Sequence, residues 1–227
     1  MEFKKGMRLP DARIASMGGN SVAFSDFRRK KVLVYGWASW DPSREALPLL
    51  QRFCEKNASD SFEVVTVAFD LTGPGRPMQY LRAAGASFQI LIDATCTLSR
   101  RWGVRRLPFS LLLDEDLTVQ LSGTRLDESF LKQVASALKK KSTVKGKPLP
   151  LPKDMKKQFA VEVLLQGGAN FLTRQRTVDA VNLIQQAQAL DPENRMIPPQ
   201  ILVIQNPEKF YTGKIDQAWM TAQGRLS

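Results

Sequence analysis

No histidine occurs among the 227 residues, and cysteine occurs only twice, at Cys54 and Cys96. Histidine is the commonest general base and the commonest metal ligand, so its absence excludes the usual nucleophilic triads and zinc sites. Hydrolase and metalloenzyme chemistry are poor fits, and no metal and no cofactor is expected. Two cysteines are too few for a disulfide framework. Long apolar runs are missing as well, since none approaches the roughly 20 residues that span a bilayer. No membrane span is expected. The start, Met1-Glu2-Phe3-Lys4-Lys5-Gly6, shows no secretory leader pattern. The chain therefore reads as cytoplasmic as it stands, or as periplasmic or otherwise extracytoplasmic if it is a mature or trimmed form. Acidic residues are also in deficit: 22 Asp and Glu stand against 33 Lys and Arg, a net charge of +11. Such a balance favours acidic partners, whether nucleic acid, anionic lipid or an acidic protein; the alternative is a solvated surface that maintains solubility.

What is present begins with a hydrophobic content of 43%, enough for a packed core. The length suits one domain plus an appendage. The organising stretch runs from Lys31 to Pro48. An apolar run, Val32-Leu33-Val34-Tyr35, is followed by the turn Gly36-Trp37-Ala38-Ser39-Trp40-Asp41-Pro42-Ser43-Arg44 and an apolar helical pattern. This strand-turn-helix unit places the turn at the carboxyl end of a parallel strand, where α/β folds usually do their chemistry.

The turn resembles the redox motif of TlpA/ResA-type thioredoxin-like proteins, in which Trp-Ala-Ser-Trp precedes Cys-x-x-Cys-Arg and, a turn later, Pro. Here the cysteines are gone. Aligned without a gap, Asp41 and Arg44 stand in their places; a one-residue deletion instead puts Ser43 in the second place. Neither register supplies the thiolate and the resolving thiol that disulfide exchange requires.

Around the turn, Val22-Ala23-Phe24 after Gly18-Gly19-Asn20 suggests a hairpin. A helix is expected from Glu45 to Asn57, kinked at Pro48, with Leu47, Leu50, Phe53 and Cys54 on its inner face. A central strand is expected over Phe62 to Phe69 and a short helix over Met78 to Ala84. The segment Gly103-Val104-Arg105-Arg106-Leu107-Pro108-Phe109 through Asp114 resembles the family's cis-proline segment. The resemblance implies a cis Leu107–Pro108 bond facing the redox turn and lining a groove for extended peptides, with Leu107, Pro108, Arg105 and Arg106 as its residues. It covers residues 6–141 and implies an α/β, thioredoxin-like fold with a central mixed sheet flanked by helices.

Residues 142–153 are rich in Lys and Pro, as semi-rigid linkers are. Beyond them, residues 154–227 read as a small all-α region. Leu164, Gly168, Phe171, Ala180, Ile184, Ala187 and Pro192 fall at the packing positions of a tetratricopeptide (TPR) repeat, which this stretch resembles. Such a repeat is about 34 residues of two antiparallel helices and cannot bury its own face alone. Pro198, Pro199 and Pro207 are expected to break up the remainder. The tail either caps the first domain or meets a partner.

Several residues carry two readings. Asp41, Ser43 and Arg44 form either a small anion site at a helix start or a plain cap. Arg100, Arg101, Arg105 and Arg106, with Arg44, make the groove basic or are merely solvated. Cys96 lies in a loop close to basic residues that would lower its pKa, while Cys54 and Trp37 read as core and Trp40 as the rim of the groove. The leading expectation is a redox-inactive, protein-binding scaffold, assembly factor or accessory subunit with protein partners of acidic character. The alternative is an atypical thiol-disulfide oxidoreductase or peroxidase using Cys96. A third class, an anion or nucleic-acid binder, has no recognised nucleic-acid module behind it, so a nucleic-acid partner is not expected.

Overall fold

The computed structural model describes residues 2–142, 145–150, 154–212, 215 and 217–222. Parts of the expected linker, at 143, 144 and 151–153, and the end of the helical region, at 223–227, lie outside the described residues.

The apolar run after Lys31 is strand β4 (Lys31–Trp37), buried along its whole length in the interior of a seven-stranded mixed sheet. It pairs in parallel with β5 (Phe62–Ala68) and antiparallel with β7 (Phe109–Leu113). Outward from β5 come β6 (Gln89–Ile92), β2 (Arg13–Ser16) and β3 (Ser21–Ala23); outward from β7 comes β8 (Val119–Gly123). The β2–β3 hairpin turns where the Gly-Gly-Asn signal places it, with Gly19 at φ 84°. Side chains alternate across the sheet, as strand geometry requires. Leu33, Tyr35, Trp37 and Leu112 face helices α1 (Leu47–Asn57), α2 (Gly75–Ala83) and α4 (Glu128–Leu138). Val32, Val34, Val65, Val67 and Leu111 face the other way.

That second face is covered by α3 (Thr97–Trp102) and by the C-terminal helices. Helix α5 (Met155–Thr173) is capped by Asp154, whose carboxylate accepts from Lys157 N, and α6 (Thr177–Leu190) lies against it. Val161, Leu165, Ile184 and Ala187 from this pair belong to the same apolar cluster as Val32 and Val34. Met196, Ile197 and Ile201 join it from the chain running into α7 (Ile197–Gln205). Residues 146–149 run along the molecule rather than away from it: β9 (Lys147–Pro148) pairs with β1 (Met7–Arg8), and Leu149 is buried.

Two helical expectations need correction. The helix expected from Glu45 is a 3-10 turn over Pro42–Ala46, and the α-helix starts only at Leu47. Pro48 sits in its first turn and does not kink it, because a first-turn residue has no intrahelical N–H bond to lose. The C-terminal prolines likewise begin helices instead of breaking them. Pro198 and Pro199 lie in the first turn of α7, and Pro207 precedes α8 (Glu208–Tyr211), after which the described chain ends in α9 (Gln217–Ala222).

Candidate functional site

Strand β4 delivers its turn to the carboxyl edge of the sheet, next to the loop that enters β7. The Leu107–Pro108 bond in that loop is cis. The turn itself is a plain cap: the Asp41 carboxylate accepts from Ser43 N at 2.8 Å, with Pro42 opening the 3-10 turn. The carbonyl of Ser43 accepts from the Tyr35 hydroxyl at 2.8 Å. Arg44 points inward. Its guanidinium donates to the carbonyl of Ser39 at 2.6 Å and to that of Phe210 at 3.0 Å, and it stacks 4.5 Å over the ring of Tyr80.

The Phe210 contact is part of a larger one. Ala38 and Trp40 of the turn form a buried cluster with Leu202, Val203 and Phe210, and Leu107 and Tyr211 pack against it. Trp40, expected at a rim, is therefore buried, with its indole N–H donating to Phe69 O at 3.2 Å. Trp37 is core. Ser39 donates through its hydroxyl to Asp70, whose carboxylate also accepts from Ser39 N at 3.0 Å; the Tyr211 hydroxyl lies 2.9 Å from that of Ser39. Arg76 sits 4.4 Å over the Tyr211 ring. Burial pushes the Asp70 carboxyl up to about 6 despite these hydrogen bonds, and raises the Tyr211 phenol. The turn and Leu107 thus lie beneath α7 and α8.

Cys96 occupies the left-handed position before α3, at φ 53°. The sequence suggests a thiol eased toward ionisation by arginines; the structure places it where ionisation is opposed. It is fully enclosed, and burial is the largest cause of its raised pKa, with Asp93 and Asp191 adding to it and Arg105 alone acting the other way. Gln200 Nε2 lies 3.9 Å from its sulfur. Cys54 is partly buried against the α1 side of the core, and burial raises its thiol too. Neither cysteine approaches the turn closely enough to appear in its packing cluster.

The arginines expected around Pro108 divide. Arg100 pairs with Glu162 of α5 at 2.6 Å and Arg105 with Asp191 after α6 at 3.1 Å, so two of them hold the helical region to the sheet domain. Gln200 does the same, accepting from Leu71 N at 2.7 Å. Pro108, Phe3 and Phe109 line a cleft of about 530 Å3 with Arg105, Arg106 and Glu193 around it. In the helical region, Ala180, Ile184 and Ala187 are buried at the contact between α5 and α6. A Cβ on Gly168 would come within 2.9 Å of Ile184, so glycine there permits the close approach. Leu164 is partly buried against the core, Phe171 lies beneath Arg176, and Pro192 is exposed in the turn after α6.

Among the described residues no group of His, Cys, Asp and Glu has the makings of a metal site. What sequence reasoning missed is the participation of Phe210, Tyr211 and Gln200; each is a lone residue in a proline-interrupted stretch and carries no periodic signal.

Known proteins fit this geometry. The family model described as Redoxin matches residues 4–141. The thioredoxin-like protein YneN of Bacillus subtilis is 29% identical over 123 residues, which are 52% of this chain and 70% of that protein. The thiol-disulfide oxidoreductase ResA of Bacillus thuringiensis is 24% identical over 135 residues, 57% of this chain and 78% of its own length. A solved structure from Chlorobium tepidum, assigned as the thiol:disulfide interchange protein DsbE, superposes with a TM-score of 0.54 at 28% identity, covering 60% of this chain and 99% of that one.

Proposed function

The chain belongs to the redoxin family, and from that premise we propose that it is a member without dithiol chemistry. In this reading it works by holding other proteins, as a scaffold, assembly factor or accessory subunit. The observation that carries the proposal is the turn itself. Trp40-Asp41-Pro42-Ser43-Arg44 contains no sulfur, and Phe210 and Tyr211 of the same chain lie over it. Exchange needs an exposed thiolate and an approach for the substrate disulfide. The turn and Leu107 are covered by Phe210 and Tyr211, while Arg105, Arg106 and Pro108 line an open cleft, so the helical region offers a contact surface beside it. There α5 and α6 are read as one TPR-like pair, a unit that ordinarily stacks against others. The competing reading is an oxidoreductase working through Cys96, in line with the relatives' names. Its thiol is enclosed and its ionisation opposed.

The test is an insulin-reduction assay on the full chain, run beside co-purification from the native source. A stoichiometric protein partner and no turnover are expected. Turnover that vanishes in Cys96→Ser would overturn the proposal. Thiol labelling of the native chain is expected to modify Cys54 well before Cys96.

A further inference from the structure

Large apolar side chains left in solvent are not scattered over this molecule. Among the described residues they are Met155, Phe159, Val163, Val178 and Leu190, and all belong to α5 and α6. Three of them form one row. Met155, Phe159 and Val163 stand at i, i+4 and i+8 of α5, with 41%, 63% and 52% of their surfaces exposed. At 1.5 Å per residue the row is about 12 Å long. Neighbouring positions Val161 and Leu165 are buried in the core and Gly168 against α6, so α5 is already packed on two sides. The row is a third, uncovered face.

Three observations say what covers it. First, α5, α6 and α7 follow one another as packed neighbours, and α5 is the end helix of that succession, with only the short α3 of the sheet domain as a further helical neighbour. Stacked helical arrays bury such an end face with another helix. Second, the row turns polar at Gln166 and Asn170, whose side chains hydrogen-bond each other at 3.2 Å. An apolar face that stops after about two turns suits the short anchors of a helix-in-groove contact; a lipid surface favours an apolar face along the whole helix. Third, the charge is one-sided. Glu162, the only acidic residue within α5, pairs with Arg100, and Asp154 is engaged as the cap, whereas Lys156 borders the row in solvent. With +11 on each chain, a second copy is disfavoured by repulsion.

We infer that the outer face of α5 docks an amphipathic helix of another protein, with apolar anchors over Met155, Phe159 and Val163 and acidic residues toward Lys156. This rests on the scaffold reading above and names its surface and partner class.

The test places a photo-crosslinking benzoylphenylalanine at Phe159 of the full chain in its native source, with Asn182 on the exposed side of α6 as the control position. Crosslinked peptides are identified by mass spectrometry. The expected product at Phe159, at least tenfold above the control, is an acidic amphipathic helix from a different protein. Products from a second copy of this chain, from lipid, or from a segment that is neither helical nor acidic overturn the inference, as does a yield no higher than the control. With the partner identified, the double variant Phe159→Glu, Val163→Glu is expected to bind it at least tenfold more weakly. Lys156→Glu is expected to weaken binding severalfold at low salt and less at high salt. A partner retained at full affinity by the double variant removes this docking face and leaves the scaffold reading intact. Absence of any partner together with insulin turnover removes the scaffold reading itself.

Discussion

The sheet domain and the α5–α6 pair treat their surfaces in opposite ways. In the domain the turn after β4 is packed inward: Trp40, Ser39 and Arg44 are buried, and no large apolar residue of the described domain stands exposed. The helical pair holds all the exposed large apolar residues described. The turn after β4 is covered, while the open apolar surface lies on the appended helices. Arg100, Arg105 and Gln200 tie the two regions into a single packed body.

The contrast is sharpened first by Phe210→Ala. Phe210 is fully buried over the turn, and truncating a core aromatic costs about 3–5 kcal/mol. Urea unfolding is expected to shift as one transition, since the helices share the sheet's core; a separate early transition confined to the helices would break the comparison. Next comes pH. Asp70 and Asp93 both have carboxyls raised from 3.8 to about 6 by burial. A raised folded-state value means that the stability each contributes is fully present below about pH 4 and is lost as pH rises through about 6, by up to about 3 kcal/mol per group. Asp70→Asn is expected to flatten that dependence by Asp70's share, measured as unfolding free energy at pH 4 and pH 8. An unchanged slope would mean that the lid over Asp70 admits water.

Within the domain, Gly36→Ala is expected to cost about 1–3 kcal/mol through overpacking, because its Cβ would lie 2.0 Å from Phe109. The smallest effect is expected on the other region. Phe159→Glu and Val163→Glu, on an exposed face, are expected to leave stability within about 0.5 kcal/mol in thermal melts. A larger loss would show that the row is already covered.

Much of the fold was legible before any coordinates. The buried run Val32–Tyr35, the Gly-Gly-Asn hairpin and the inner face of α1 each carry a local signal, and local signals survive in a single sequence. The helical pair was legible through its small residues: Gly168, Ala180 and Ala187 stand where two helices must approach. The cover over the turn was not. Phe210 meets Trp40 and Gln200 meets Leu71 across well over a hundred residues of chain, and one aromatic or one amide repeats nothing. The direction expected for the Cys96 pKa differs from the structure for a related reason. Its arginine neighbours and Asp93 were visible in sequence, but the burial and the remote Asp191 were not.

The sequence alone determined that the turn has no sulfur, that no histidine can replace it, and that apolar runs such as Val32–Tyr35 and Phe62–Phe69 are core segments. These follow from residue identity and local spacing. Only the tertiary structure decided that the turn is closed, that Cys96 is sealed, and that the free surface lies on α5. Burial and electrostatics at a point are sums over everything packed around it, and for Trp40 and Cys96 some of the contributors come from the far end of the chain.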